Sequence, residues 1–349
     1  MKDLLKGNEA IAESAVRAGC RAYFGYPITP QNEIPEYMSR RMPEVGGTFL
    51  QAESETSAIN MVYGAAGAGA RAMTSSSSPG ISLKQEGLSY IACAEIPCVI
   101  INIMRAGPGL GGILPGQGDY FQSVKGGGHG DYRLFVFAPS SVQEACNLTY
   151  EAFEIADRFR NPVMILGDGM LGQMIEPAVL PPQIELSELP QKDWATSGHS
   201  VPRIINSLLI NPDELESRTE KLRQKYLDMQ SLARAETLRI EDAEIVLTAF
   251  GTVGRVAKTA VEILRGKGIK AGLIRPITLF PFPSAEYQRL AGRNAVRAFY
   301  CYELNTGQMV EDVRLAVDGK KPVHFHGRSG GNLLTAEDIA EAVIDRESL

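Results

Sequence analysis

Cys98-Val99-Ile100-Ile101-Asn102-Ile103-Met104-Arg105-Ala106-Gly107-Pro108-Gly109 is an apolar run that stops at an arginine and opens into a glycine-rich loop. Its β-branched content and unbroken hydrophobicity predict a strand over residues 98–103, buried on both faces. Similar short runs lie at 21–26, 48–50, 134–137 and 162–166. Helical patterns at 54–69, 81–94 and 140–159 separate them. Buried strands alternating with helices predict an α/β domain with a parallel sheet over residues 1–175.

A second α/β unit is expected over residues 241–349. It has strands at 244–250, 270–275, 295–302 and 322–325, a tight turn at Gly251-Thr252-Val253-Gly254, and helices at 255–267 and 335–344. Thr335 and Asp338 are spaced for a capping box. Residues 176–240 read as a linker. Its first part, 176–202, is Pro-rich and irregular. In 212–239, Leu215, Leu222, Tyr226, Met229 and Ala233 form one narrow stripe, expected of a single long helix lying on its own domain or on a partner subunit.

Composition excludes several classes. The 349 residues are 44% hydrophobic and 22% charged, as in a globular, soluble chain of two domains. A net charge of -6 without clustered Lys and Arg argues against nucleic acid. No run approaches the roughly 20 apolar residues of a membrane span. The first residues lack a signal peptide's apolar core, and Asn8 is placed to cap a helix starting at Glu9. Five scattered cysteines without a CxxC suggest reduced thiols and a cytoplasmic location, and they match no iron–sulfur ligand pattern.

The chemistry-bearing motifs crowd between residues 25 and 131. Gly25-Tyr26-Pro27-Ile28-Thr29-Pro30 is a turn stiffened by two prolines, able to hold a hydroxyl at a strand's carboxyl end, where open α/β sheets bind ligands. Ser54-Glu55 opens a helix rich in Ala and Gly. Thr74-Ser75-Ser76-Ser77-Ser78-Pro79-Gly80 reads as a polar turn feeding a helix, with amides and hydroxyls suited to an anion. Arg105, at a strand end before a glycine loop, suits bidentate recognition of a carboxylate. His129, among the glycines at 126–130, is a candidate for proton transfer or for hydrogen bonding within its loop.

Tyr26 to Pro30, Ser54-Glu55 and the loop from Arg105 to Gly112 resemble the α-type subunits of 2-oxoacid:ferredoxin oxidoreductases. These thiamine diphosphate (ThDP) enzymes oxidise 2-oxoacids to acyl-CoA. The likeness is greatest to the 3-methyl-2-oxobutanoate (2-ketoisovalerate) members. It implies a ThDP pyrimidine-binding domain followed by a transketolase C-terminal-like domain. Glu55 would be the carboxylate that binds the aminopyrimidine nitrogen N1′, with Ser77, Ser78 and Gly80 also near the cofactor. Thr29, Arg105 and Tyr26 would hold the substrate, and Leu110 would face a branched aliphatic tail. Glu53 is expected to point elsewhere.

Gly167-Asp168-Gly169 looks like the start of a Mg2+–diphosphate motif, but the next Asn is Asn206, too far along, so a strand-end turn is expected and no metal is assigned. The resemblance therefore puts diphosphate and Mg2+ binding on a β subunit and the iron–sulfur clusters on ferredoxin-like and γ-type subunits. Coenzyme A is the co-substrate and ferredoxin the electron acceptor. Two alternatives stay open: the same chemistry on 2-oxoglutarate, and a non-catalytic assembly subunit.

Overall fold

The computed structural model describes residues 3–347. In chain order the first part runs β1 (Asp3–Lys6), α1 (Gly7–Arg17), β2 (Ala22–Gly25), α2 (Glu33–Glu44), β3 (Thr48–Gln51), α3 (Glu55–Gly67), β4 (Ala72–Ser76), α4 (Ser78–Cys93) and β5 (Cys98–Met104). It continues through α5 (Tyr120–Val124), β6 (Phe135–Phe137), α6 (Val142–Phe159), β7 (Pro162–Asp168), α7 (Gly169–Gln173) and β8 (Ile175–Ala178). The second part holds α8 (Pro212–Asp228), β9 (Ala235–Leu238), β10 (Ile245–Thr248), α9 (Gly251–Gly266), β11 (Ala271–Pro276), β12 (Thr278–Phe280), α10 (Ser284–Ala291), β13 (Ala298–Glu303), α11 (Met309–Val317), β14 (Val323–Gly327) and α12 (Ala336–Glu347).

The apolar run quoted first is the centre of a seven-stranded sheet ordered β12-β6-β7-β5-β4-β2-β3, parallel except for β12. Every residue of β5 is buried, as a strand covered by helices on both sides must be. The second sheet is ordered β14-β13-β10-β11-β9, parallel except for β9. Helices α1, α2 and α6 cover one face of the first sheet. Its other face, with α3 and α4, packs into a core that includes Val246, Ile274, Tyr287 and Phe299 of the second part.

Several sequence expectations change. Thr74 to Ser76 are not a turn but the buried end of β4, a strand disguised by its hydroxyls. Asn8 does not cap: it lies inside α1, buried, and donates to the Pro30 carbonyl at 2.9 Å. Gly251 to Gly254 form the first turn of α9. The long linker helix stops at Asp228, and β9 then adds an antiparallel edge to the second sheet. β12, which follows β11, crosses to the first sheet and forms its antiparallel edge. The α8 stripe rests on this chain, with Leu222 and Tyr226 buried against the first domain's core, while Leu215 is exposed. The capping box forms: Thr335 N donates to Asp338 at 2.9 Å and Asp338 N to Thr335 Oγ1 at 3.0 Å. All five cysteines are free, and burial pushes the Cys20 and Cys98 thiols up to about 12, leaving them protonated at neutral pH.

Arg275 of β11 joins the parts. It has no exposed surface and pairs with Glu144 of α6 at 2.5 Å and Glu236 of β9 at 2.7 Å. Losing this wholly buried side chain empties its packed volume and removes two charged hydrogen bonds at once. Arg275→Ala should therefore lower the unfolding free energy by about 3 kcal/mol in a denaturant titration, whereas Arg297→Ala on the surface should change it by less than about 1 kcal/mol.

Candidate active site

Strands β2, β4 and β5 are parallel neighbours, so their carboxyl ends and the loops that leave them converge. After β2, the turn to Pro30 is braced from behind. The Pro30 carbonyl accepts from Asn8 at 2.9 Å and from Gln173 at 3.2 Å. Tyr26 and Thr29 face outward, with Tyr26 37% exposed.

Ser54 caps α3, its hydroxyl accepting from Ser57 N at 3.1 Å, which places Glu55 at the helix's first position. Glu53 is exposed and turns to the Ser57 hydroxyl. Glu55 is buried, yet its carboxylate accepts no hydrogen bond from any described residue. It lies against Gly80, where a Cβ would sit 2.6 Å from Glu55 Oε1 and 2.1 Å from Ser76 Oγ. Only glycine leaves room there. The Ser76 hydroxyl there is buried and unpartnered, as is that of Ser77 next in the chain. Two buried hydroxyls with nothing to bond are costly, and such groups gather where a ligand completes them.

Ser78 has a different surrounding. Its φ is +22°, unusual for a serine, and its hydroxyl is spent within the protein. It accepts from Arg105 N at 3.0 Å and donates to Asp119 at 2.6 Å. Asn102 Nδ2 also donates to Asp119, at 2.9 Å. Burial pushes the Asp119 carboxyl up, and these two donors and the nearby Arg105 charge pull it back.

The Arg105 guanidinium is 7% exposed and bridges two turns, donating to the Thr29 carbonyl at 3.0 Å and the Leu110 carbonyl at 2.8 Å. Its Nε has no partner. Arg105 and the Thr29 turn are thus brought together. Leu110 offers Arg105 its carbonyl, while its side chain is 79% exposed, and Ile113 and Leu114 are exposed too. His129 is exposed and makes no hydrogen bond to Glu55, Thr29 or Arg105. Asp168, buried at the end of β7, caps α7 through Met170 N and Leu171 N and accepts from Thr252, so its oxygens are committed.

Sequence reasoning missed the residues that hold the loop. Gln117, fully buried, donates from its side chain to the Phe250 carbonyl at 3.1 Å and accepts from Leu304 N at 3.1 Å. Its backbone carbonyl accepts from Asn305 at 2.8 Å. The glycine loop is therefore moored to the second domain. Lys84 was missed as well, although 81, 84, 88 and 91 share one helix face and the other three are apolar.

Comparison with known proteins gives the family. Residues 13–242 match the family model of pyruvate flavodoxin/ferredoxin oxidoreductase, thiamine diphosphate-binding, and residues 243–339 match pyruvate:ferredoxin oxidoreductase core domain II. The chain belongs to the 2-oxoacid:ferredoxin oxidoreductase family. A ketoisovalerate oxidoreductase subunit VorB of Methanothermobacter thermautotrophicus is 52% identical over 97% of this chain and 96% of that protein. A 2-oxoglutarate synthase subunit KorA of Archaeoglobus fulgidus is 38% identical over 98% of both. The fold of 2-oxoglutarate:ferredoxin oxidoreductase from Magnetococcus marinus superposes with a TM-score of 0.83 at 24% identity, covering 99% of this chain. This member of the family spans 65% of the length of that solved chain. Among its described residues no helix is long and apolar enough to cross a membrane.

Gln117→Ala would leave the Phe250 carbonyl and Leu304 amide buried and unpaired, a loss of about 1–3 kcal/mol for each such group. Hydrogen exchange should then quicken at the amides of residues 106–119 and stay unchanged in β5, which is held by its own ladder.

Proposed function

We propose that this chain is the subunit that holds the aminopyrimidine side of ThDP in the CoA-dependent oxidative decarboxylation of 3-methyl-2-oxobutanoate, with electrons passing to ferredoxin. One observation carries this reading: Glu55 is a buried residue whose carboxylate has no donor among the described residues, set against Gly80 beside the unpartnered Ser76 hydroxyl. These residues fit the polar edge of an aminopyrimidine. Bound ThDP supplies the carbanion chemistry that amino acid side chains lack.

In this reading Glu55 holds a proton at the ring nitrogen N1′. Ser77 and Gly80 border the cofactor, and Ser78 supports them through Asp119. Arg105 and Thr29 take the 2-oxoacid's carboxylate and carbonyl, with Tyr26 alongside. Arg105 then exchanges its two backbone carbonyls for a bidentate carboxylate, a stronger pairing for guanidinium. Leu110, Ile113 and Leu114 border the substrate tail, where their methyl groups favour a branched aliphatic chain by about 1–3 kcal/mol. The pyrimidine-binding unit is residues 1–175, with 176–240 as linker and 241–349 as the transketolase-like unit.

The cofactor's other half belongs to a β subunit. Asp168 is committed to capping α7, so diphosphate and Mg2+ need ligands from elsewhere. Ferredoxin-like and γ-type subunits carry the iron–sulfur clusters, and the complex works in the cytoplasm. The 52% likeness to a ketoisovalerate subunit supports the branched substrate over 2-oxoglutarate, and the side chains of Leu110, Ile113 and Leu114 offer a second carboxylate no hydrogen bond. A purely assembling subunit would have no use for an unpaired buried carboxylate.

Glu55→Gln should abolish 2-oxoacid-dependent dye reduction in the complex reconstituted with its partner chains, while assembly is retained. Activity within about threefold of wild type would remove Glu55 from the mechanism.

A further inference from the structure

Lys84 lies on α4 one turn beyond Gly80 and has no exposed surface. Its ammonium donates to the Thr74 hydroxyl at 2.8 Å and the Ser75 carbonyl at 3.3 Å, both on β4 and both neutral. Among the described residues it forms no ion pair within 4.0 Å. A buried ammonium without a direct counter-ion costs several kcal/mol, and nothing in the packing demands it, since a methionine would fill the same volume. Burial pushes its pKa down to about 7, and the one charge that counteracts this is the Glu55 carboxylate. Glu55, on α3, is in turn the buried carboxylate with no donor, and α3 and α4 pack directly together.

We propose that Lys84 is a positioning residue for Glu55, a buried ammonium set behind that carboxylate on the neighbouring helix. This rests on the reading of Glu55 given above. A carboxylate that shares a proton with a ring nitrogen activates the ring when the proton resides on nitrogen and the charge on oxygen. A cation behind the carboxylate favours that arrangement without touching the cofactor. The distance beyond direct contact matters: an ammonium bonded to Glu55 would occupy the lone pairs that the ring needs.

The coupling is reciprocal, so it can be read from either side without cofactor. In the full chain labelled with [13Cε]lysine, the resonance missing from Lys84→Met should titrate near pH 7. In Glu55→Gln its midpoint should fall further. A midpoint near the ordinary value of about 10.4, or one that Glu55→Gln leaves in place, overturns the proposal. The folded chain binds fewer protons at Lys84 than the unfolded chain between about pH 7 and 10. Wild type should therefore gain stability relative to Lys84→Met as pH rises through that window. In the reconstituted complex Lys84→Met should lower kcat about tenfold, with the 2-oxoacid KM within about twofold. Unchanged kcat contradicts the proposal. If Lys84→Met does not fold, Lys84→Gln identifies the resonance and serves the same assays. Full activity in Glu55→Gln would remove the reading of Glu55 and this proposal with it, whereas an inactive Glu55→Gln with an unmoved Lys84 midpoint would remove the coupling alone.

Discussion

Thr74, Ser75 and Ser76 make the carboxyl half of β4 polar and wholly buried, and the site is organised by the need to satisfy it. Thr74 takes the Lys84 ammonium. Ser75 is bonded to Tyr23 at 2.6 Å and to Gln31, which ties β4 to β2 and to the turn that carries Thr29. Ser76 has no partner and lies at the Gly80 cradle with Glu55. One strand end thus fixes three sides of the site and leaves the fourth unfilled.

Around this strand the loops are held by carbonyls and amides. Arg105 joins the glycine loop to the Thr29 turn, and Asp119 joins the start of α4 to the end of β5 through Ser78 and Asn102. Gln117 fastens the loop to the second domain, and Lys125 and Tyr120 both reach Asp312 of α11. The C-terminal unit therefore supports loop geometry even where it supplies no group to the cluster around Glu55. The β12 strand on the first sheet and buried Arg275 give it a fixed place to do so.

Much of this was legible in the sequence. Unbroken apolar runs announced β5 and β7, because strands covered on both faces need no polar residues. Ser54-Glu55 and the two-proline turn marked the site because their chemistry is local. β4 was hidden, since buried hydroxyls satisfied by distant partners look like a turn when only neighbours are read. Lys84, Gln117 and Asp119 escaped for the same reason. Their partners are separated along the chain, and a lysine or glutamine in isolation reads as surface. Asn8 shows the converse error: a good capping residue beside a helix start was recruited to a tertiary contact.

The central claim is that this fold presents one side of a ThDP site tuned to a branched 2-oxoacid. The most direct measurement is kcat/KM for a panel of 2-oxoacids, with coenzyme A and ferredoxin, in the complex reconstituted from this chain and its partner subunits. The account predicts the highest value for 3-methyl-2-oxobutanoate and its homologues, followed by 2-oxoglutarate. A preference for 2-oxoglutarate of about tenfold, some 1.4 kcal/mol in transition-state binding, would contradict the proposed preference for a branched tail. No turnover of any 2-oxoacid would contradict the reaction itself.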